Sequence, residues 1–175
     1  TQETTAPGST FKPVSAIAGL TEGVIGGGTV FNCSGKFTKI TPSPKCWIYP
    51  GAHGGLNITG AISHSCNVFF SEMAYRMSMD DKGNYSSKKG TEILEKYAKM
   101  FALDQKSGIE IPESESTIST EDAVRSAFGQ GTNNYTVTQL SRYVSAVANK
   151  GTVYDLTLLN KVETVDGKTV KEYEP

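Results

Sequence analysis

Close to its start the chain reads Pro7-Gly8-Ser9-Thr10-Phe11-Lys12-Pro13, and the residues that follow place Val14, Ile17, Ala18 and Leu20 at helical spacing. One apolar face of that kind predicts a helix starting near Ser9. Pro13 fits because it falls in the first turn, where its missing N–H is no loss. Ser9 and Lys12 then stand at i and i+3 on one face, close enough to interact. A serine hydroxyl is a poor nucleophile until a base takes its proton. A lysine serves as that base once desolvation or neighbouring positive charge lowers its pKa. The helix N-terminus helps twice, since its partial positive charge disfavours the ammonium and favours a developing alkoxide. Pro7-Gly8 supplies a tight approach that exposes the hydroxyl.

The same S-x-x-K spacing recurs at Ser86–Lys89, so the tetrapeptide alone is a weak signal. There it falls in 80–89, which reads as a polar, glycine-containing loop and predicts only a solvated basic segment. Between the two, Gly23 to Gly28 breaks the first helical pattern, and 29–56 is expected to be irregular with short strands. Helices are predicted over 67–79, with Phe69, Phe70, Met73, Ala74 and Met77 inward, and over 91–101. Residues 104–122 read as loop with short extended pieces such as 109–111. The spacing of Leu140, Tyr143, Val144, Val147 and Ala148 predicts a helix over 138–149, stopped by Lys150-Gly151. Finally, 161–165 and 168–173 flank Asp166-Gly167, a type I′ hairpin signal. A helical body followed by the first strands of a sheet makes the class mixed α and β, α+β.

A second polar element, Ser65-Cys66-Asn67, lies between two helical stretches. A second serine relays a proton between a lysine and a leaving amine, and an asparagine offers both donor and acceptor. By itself S-x-N is an interhelical turn.

The 175 residues are 37% hydrophobic and 20% charged, enough to bury one core. Seventeen Lys and Arg face eighteen acids without clustering, which argues against a nucleic-acid partner. No apolar run approaches the ~20 residues of a membrane span, and no signal peptide precedes Thr1. N-x-S/T matches at Asn32, Asn57, Asn84 and Asn134 are short enough to arise by chance. Cys33, Cys46, His53 and Cys66 offer the thiolate and imidazole ligands that zinc prefers. Their spacing lacks a C-x-x-C pair, so a structural zinc site, a Cys33–Cys46 disulfide and unliganded thiols all remain open. A clip there would steady 29–56, and through Cys66 it would hold Ser65 and Asn67. His64 either flanks the site or is a partly exposed helical histidine. Trp47 and the tyrosines read as packing residues, and Gly129-Gln130-Gly131 as a flexible turn.

Taken together and in this order, Pro7 to Pro13, Ser65-Cys66-Asn67-Val68-Phe69-Phe70 and Gly129-Gln130-Gly131 resemble the penicillin-binding protein transpeptidases. Weaker similarity covers Phe101-Ala102-Leu103, Ser107 to Pro112 and Asn133 to Thr136, so the resemblance spans nearly the whole chain. It is closest to the class B enzymes of the elongation type, similar to penicillin-binding protein 2.

The resemblance implies the penicillin-binding and serine β-lactamase-like fold, with 1–175 as part of a single transpeptidase domain. It implies Ser9 as nucleophile on the penultimate D-Ala carbonyl of a peptidoglycan stem peptide, with Lys12 as base. Ser65 becomes the proton shuttle and Asn67 the orienting group, while Gln130 and Gly131 take a supporting substrate-binding role. It further implies β-lactams as trapping ligands, a lipid-linked precursor, a membrane glycan polymerase as partner, and the extracytoplasmic face of a bacterial membrane. A structural zinc is the one cofactor candidate.

One departure stands out. The family's third motif, K-T/S-G on a sheet strand, has no match: Lys106-Ser107-Gly108 follows a helix and belongs to the similarity around 101–112, and Gly167-Lys168-Thr169 has the wrong order. That motif is expected beyond Pro175, with anchor and pedestal also outside the chain. Loss of one oxyanion donor costs on the order of 10²–10³ in rate, so the piece alone is expected to be nearly inactive. A β-lactamase, a β-lactam-sensing domain and a catalytically silent scaffold are the competing readings.

Overall fold

The structure is a computed structural model and describes residues 1–173. A one-turn 3-10 helix, Gly8–Phe11, runs directly into α1 (Lys12–Thr21), with Pro13 in its first turn. The predicted helix is therefore present, but Ser9 sits on the tighter turn ahead of it. The other helices are α2 (Ile58–Ser63), α3 (Asn67–Met77), α4 (Ser87–Met100), the single turn α5 (Ala123–Ser126) and α6 (Val137–Ala148). Strands are short and pair in antiparallel twos: β1 (Thr4–Thr5) with β4 (Tyr135–Thr136), β2 (Phe31–Cys33) with β3 (Gly54–Leu56), and β5 (Lys161–Glu163) with β6 (Thr169–Glu172).

α1 lies against α3 and α4 and divides two apolar clusters. One gathers Ala16, Phe31, Phe37, Ile58, Phe69, Phe70 and Met73 with the three cysteines. The other gathers Phe11, Val14, Ala18, Met77, Leu94, Tyr97, Tyr135 and Tyr143. Each large side chain so buried contributes about 1.5–3 kcal/mol. Burial on both flanks holds α1, and hence the turn before it, in one place.

Two expectations are corrected. Residues 86–89 are not a solvated loop: Ser86 caps α4, its hydroxyl accepting from Lys89 N–H at 3.3 Å, and the Lys89 ammonium donates to Met79 O at 2.6 Å. A serine at an N-cap satisfies an orphan donor, and that local signal outweighs polarity. The hairpin also differs from type I′, which needs positive φ at both central residues. Only Gly167 has it (φ +84°), while Thr164 N–H bonds Lys168 O at 2.9 Å around a three-residue loop. The ladder carries a register shift at Val162/Glu163.

Candidate active site

Ser9 and Ser65 come together because two helix ends meet. α2 closes with Ser65 N–H donating to Ile62 O at 3.0 Å and Cys66 N–H donating to Ala61 O at 2.9 Å. This is the Schellman pattern, whose left-handed residue is usually glycine. Here that residue is Ser65, at φ +50°. A side chain in that conformation costs of order 1–2 kcal/mol, and such strain gathers at functional sites. Cys66 then caps α3, its Sγ accepting from Phe69 N–H at 3.4 Å, so that Asn67 begins the helix.

Into this corner points the side chain of Lys12, which is 2% exposed. Its Nζ lies 2.8 Å from Ser65 O, 2.8 Å from Asn67 Oδ1, 2.9 Å from Ser65 Oγ and 3.0 Å from Ser9 Oγ. An ammonium has three N–H groups and cannot serve four acceptors. The two carbonyl oxygens can only accept, whereas either hydroxyl is able to donate to the lone pair of a neutral amine. Burial brings the Lys12 pKa down from its usual 10.5 to about 8, against an opposing pull from the Cys46 and Cys66 thiols. Ser65 Oγ–H donates to Ser9 Oγ at 2.7 Å, completing a ring of Ser9, Lys12 and Ser65. Ser9 itself is exposed. Asn67 is held from behind, its Nδ2 donating to Lys45 O at 3.2 Å.

The Gly129–Gly131 loop buttresses the turn that carries Ser9. Gly8 N–H donates to Gly129 O at 3.0 Å, and Gly129 has φ +78° with its α-carbon against the Gly8 peptide, where a Cβ would overlap the Gly8 carbonyl. Gly131 (φ +71°) leaves its space to the hydroxyls of Ser119 and Ser126, each within 2.7 Å of where a Cβ would stand. Gln130 has an exposed side chain, and its backbone bridges Arg125 O and the Asn133 amide. The resemblance put this loop near the site, but not its bond to Gly8, which joins backbones far apart in the chain.

Cys33, at the end of β2, Cys46, His53 and Cys66 converge, with their ligand atoms all within 4.8 Å of one another. The cysteines are free and buried, so Cys33 and Cys46 are not joined. His53 Nδ1 lies 3.5 Å from Cys33 Sγ and 3.6 Å from Cys46 Sγ, and the Cys46 and Cys66 sulfurs are 4.0 Å apart. Burial pushes the Cys66 thiol up. Cys46 is also buried, yet the N–H groups of Asn67, Ile48 and Val68 hold it below its ordinary value. Desolvation, with His64 and Lys12 nearby, lowers His53, and its Nε2 is buried without a hydrogen-bond partner among the described residues. His64 caps α2 and is exposed, its ring 5.6 Å from that of His53. Trp47, read as a packing residue, sets its ring 5.4 Å from that of His53 and donates its indole N–H to His64 O at 2.9 Å, although it is 65% exposed.

Neither Lys106-Ser107-Gly108 nor Gly167-Lys168-Thr169 lies beside Ser9 and Lys12 in the hydrogen-bonded cluster. Ser107 is buried and donates from N–H and Oγ to Glu113 at 2.5 and 2.8 Å, while Lys106 pairs with Glu115 at 2.8 Å. Gly167 to Thr169 lies in the β5–β6 hairpin.

The family model for the penicillin-binding protein transpeptidase domain matches residues 1–175. Among curated relatives, the peptidoglycan D,D-transpeptidase MrdA of Salmonella typhimurium is 31% identical over all of this chain and 28% of its own length. The chain spans about a quarter of the length of the curated relatives it matches. A solved peptidoglycan synthase complex, described as coordinating polymerization and crosslinking, superposes with TM-score 0.81 and 22% identity over 99% of this chain and 30% of that one. Penicillin-binding protein A from M. tuberculosis, as its ceftriaxone acyl-enzyme complex, superposes with TM-score 0.74 and 21% identity over 98% and 38%. With a full-length family match, a shared mixed α/β fold and the Ser9–Lys12–Ser65–Asn67 cluster at its centre, the chain belongs to the penicillin-binding protein transpeptidase domain family.

Proposed function

We propose that this chain carries the acylating half of a peptidoglycan D,D-transpeptidase site within a single transpeptidase domain. The observation that supports it most is the placement of the buried Lys12 amine against Ser9 Oγ, Ser65 and Asn67 together. Ser9 Oγ attacks the penultimate D-Ala carbonyl carbon and Lys12 Nζ accepts its proton. The C–N bond to the terminal D-Ala then breaks, and that proton reaches the leaving amine through Ser65 Oγ. Asn67 holds Lys12 and the donor peptide. An amine of a neighbouring stem peptide attacks the ester, forms the crosslink and returns Ser9 to its free state. A β-lactam presents the same reactive amide and leaves Ser9 as a slow ester. In this reading the site works on the outer face of a bacterial cytoplasmic membrane, on lipid-linked precursor and its polymer, beside a membrane glycan polymerase. Among the described residues no helix is long and apolar enough to cross a membrane.

The test uses the full-length protein, an N-blocked D-Ala-D-Ala stem peptide and an amine acceptor. Release of D-Ala with a crosslinked product supports transpeptidation. Hydrolysed product alone, with rapid turnover of penicillin, supports a β-lactamase. A stable adduct without turnover of stem peptide supports a sensor, and no acylation at all leaves a scaffold.

The four-residue cluster is read as a structural zinc site. A tetrahedral zinc with Zn–S of about 2.3 Å and Zn–N of about 2.0 Å sets its ligands about 3.8 Å (S to S) and about 3.5 Å (S to N) apart. The distances of 4.0, 3.5 and 3.6 Å fit those edges. Metal binding deprotonates thiols outright, which overrides the burial that raises Cys66. The ion would tie the 29–56 segment to the start of α3. Elemental analysis is expected to give one zinc per chain, and chelation to lower the melting temperature. Full stability in a metal-free preparation would contradict the zinc reading.

A further inference from the structure

Three thiols around one point are more than a catalytic corner needs, and two of them border it directly. Cys66 stands between Ser65 and Asn67. Cys46 follows Lys45, whose carbonyl accepts from Asn67 Nδ2 at 3.2 Å. The two sulfurs are 4.0 Å apart and buried in the same cluster. A disulfide needs about 2.05 Å, so each sulfur moves about 1 Å to close it. Cys33 differs: it ends a strand paired with β3, with no residue of the Lys12 network beside it in sequence.

We propose that Cys46 and Cys66 form a reversible disulfide site that uncouples Ser65 and Asn67 from Lys12, and that a metal in the cluster protects against it. The protective half rests on the zinc reading; the disulfide itself does not. The oxidant is a peroxide. One thiol gives up its proton, its thiolate sulfur attacks a peroxide oxygen, the O–O bond breaks, and the leaving hydroxide takes that proton, so a sulfenic acid and water result. The second thiol sulfur attacks the sulfenic sulfur, the S–O bond breaks, and a second water leaves with the proton. Two thiols and one hydrogen peroxide thus become one disulfide and two waters.

The consequence follows from what each sulfur holds. Cys66 Sγ leaves the Phe69 N–H that it caps at 3.4 Å, so the first turn of α3, which starts at Asn67, loosens. Cys46 draws Lys45 with it and pulls on the second support of Asn67. Displacement of about 1 Å at reacting groups costs on the order of 10²-fold in rate. Thiols are oxidised readily in extracytoplasmic compartments, which gives such a site an occasion to act.

The experiment treats the full-length protein, with metal removed or loaded and its metal content measured first, with hydrogen peroxide. Peptide mapping and penicillin acylation rates follow. Expected are loss of two hydrogen masses, a Cys46–Cys66 crosslinked peptide and acylation slowed at least tenfold. Dithiothreitol restores the rate, and zinc loading slows the oxidation. Cys46→Ser abolishes the crosslink, and Cys33→Ser retains it. A crosslink through Cys33, or a Cys46–Cys66 bond with unchanged acylation, overturns the proposal. A protein that binds no zinc yet forms the bond and loses acylation supports the disulfide and removes the zinc reading. A loaded protein oxidised as fast as the empty one overturns the protective half.

Discussion

At the scale of single residues, the proposal turns on Lys12 being neutral when Ser9 attacks. With its pKa brought down to about 8, the neutral amine is the minor form below pH 8 and the major form above it. The rate of penicillin acylation is therefore expected to rise through pH 8 and then level, and a flat profile from pH 6 to 9.5 would argue against Lys12 as base. The same shift acts on stability with a definite sign. Below pH 8 folded and unfolded chains both carry the ammonium, which the folded chain holds at a cost. Between 8 and 10.5 only the unfolded chain keeps the proton, so stability rises with pH across that window. Ser65 supplies a second prediction. Ser65→Gly and Ser65→Ala both remove the hydroxyl proposed as shuttle and are expected to slow acylation on the order of 10²–10⁴. The glycine variant is expected to be the more stable by about 1 kcal/mol, because only it escapes the left-handed strain. Urea denaturation of the pair checks this, and equal stability would mean the strain is not there. That Ser9, Lys12, Ser65 and Asn67 belong together was legible only through the order of their motifs along the chain, since S-x-x-K and S-x-N are each weak signals alone. The left-handed φ of Ser65 was not, since nothing in Ser-Cys-Asn marks a glycine position.

At the scale of elements, the amphipathic spacings located α1, α3, α4 and α6 to within a few residues, because each buries one face against a neighbour. Missed were features set by a cap or by a contact distant in sequence. Ser86 starts α4 four residues earlier than the apolar spacing suggests, and Gly129 meets Gly8 across 121 positions (129 − 8). The second contact yields a sharp expectation. Gly129→Ala places a Cβ onto the Gly8 carbonyl and into positive φ. It is expected to lower stability on the order of 2 kcal/mol and to slow acylation, although it touches no reacting group. Thermal melting and penicillin acylation of the variant check both halves, and a variant that melts normally would show that the loop gives way freely. A plainer test lies at α6, where Thr136 caps the helix in a capping box with Gln139. Thr136→Ala is expected to cost about 1 kcal/mol in urea denaturation.

At the scale of the whole molecule, two clusters share one wall: the hydrogen-bonded ring of Ser9, Lys12 and Ser65, and the thiol–imidazole set that reaches it through Cys66. Order along the chain made the first visible, since several motifs recur in the family's sequence. The second was only a set of metal-preferring residues until the fold brought positions 33, 46, 53 and 66 within 4.8 Å of one another. Spacing in sequence carries no information on such convergence when it is made by loops. The central claim, that Ser9 is an acylating nucleophile activated by Lys12, meets its most direct test in intact-mass spectrometry of the full-length protein after incubation with a penicillin. The expected result is a stable mass increase equal to the antibiotic, mapped to the peptide holding Ser9 and absent in Ser9→Ala. A folded protein that gains no mass, or an adduct that survives Ser9→Ala, would contradict it.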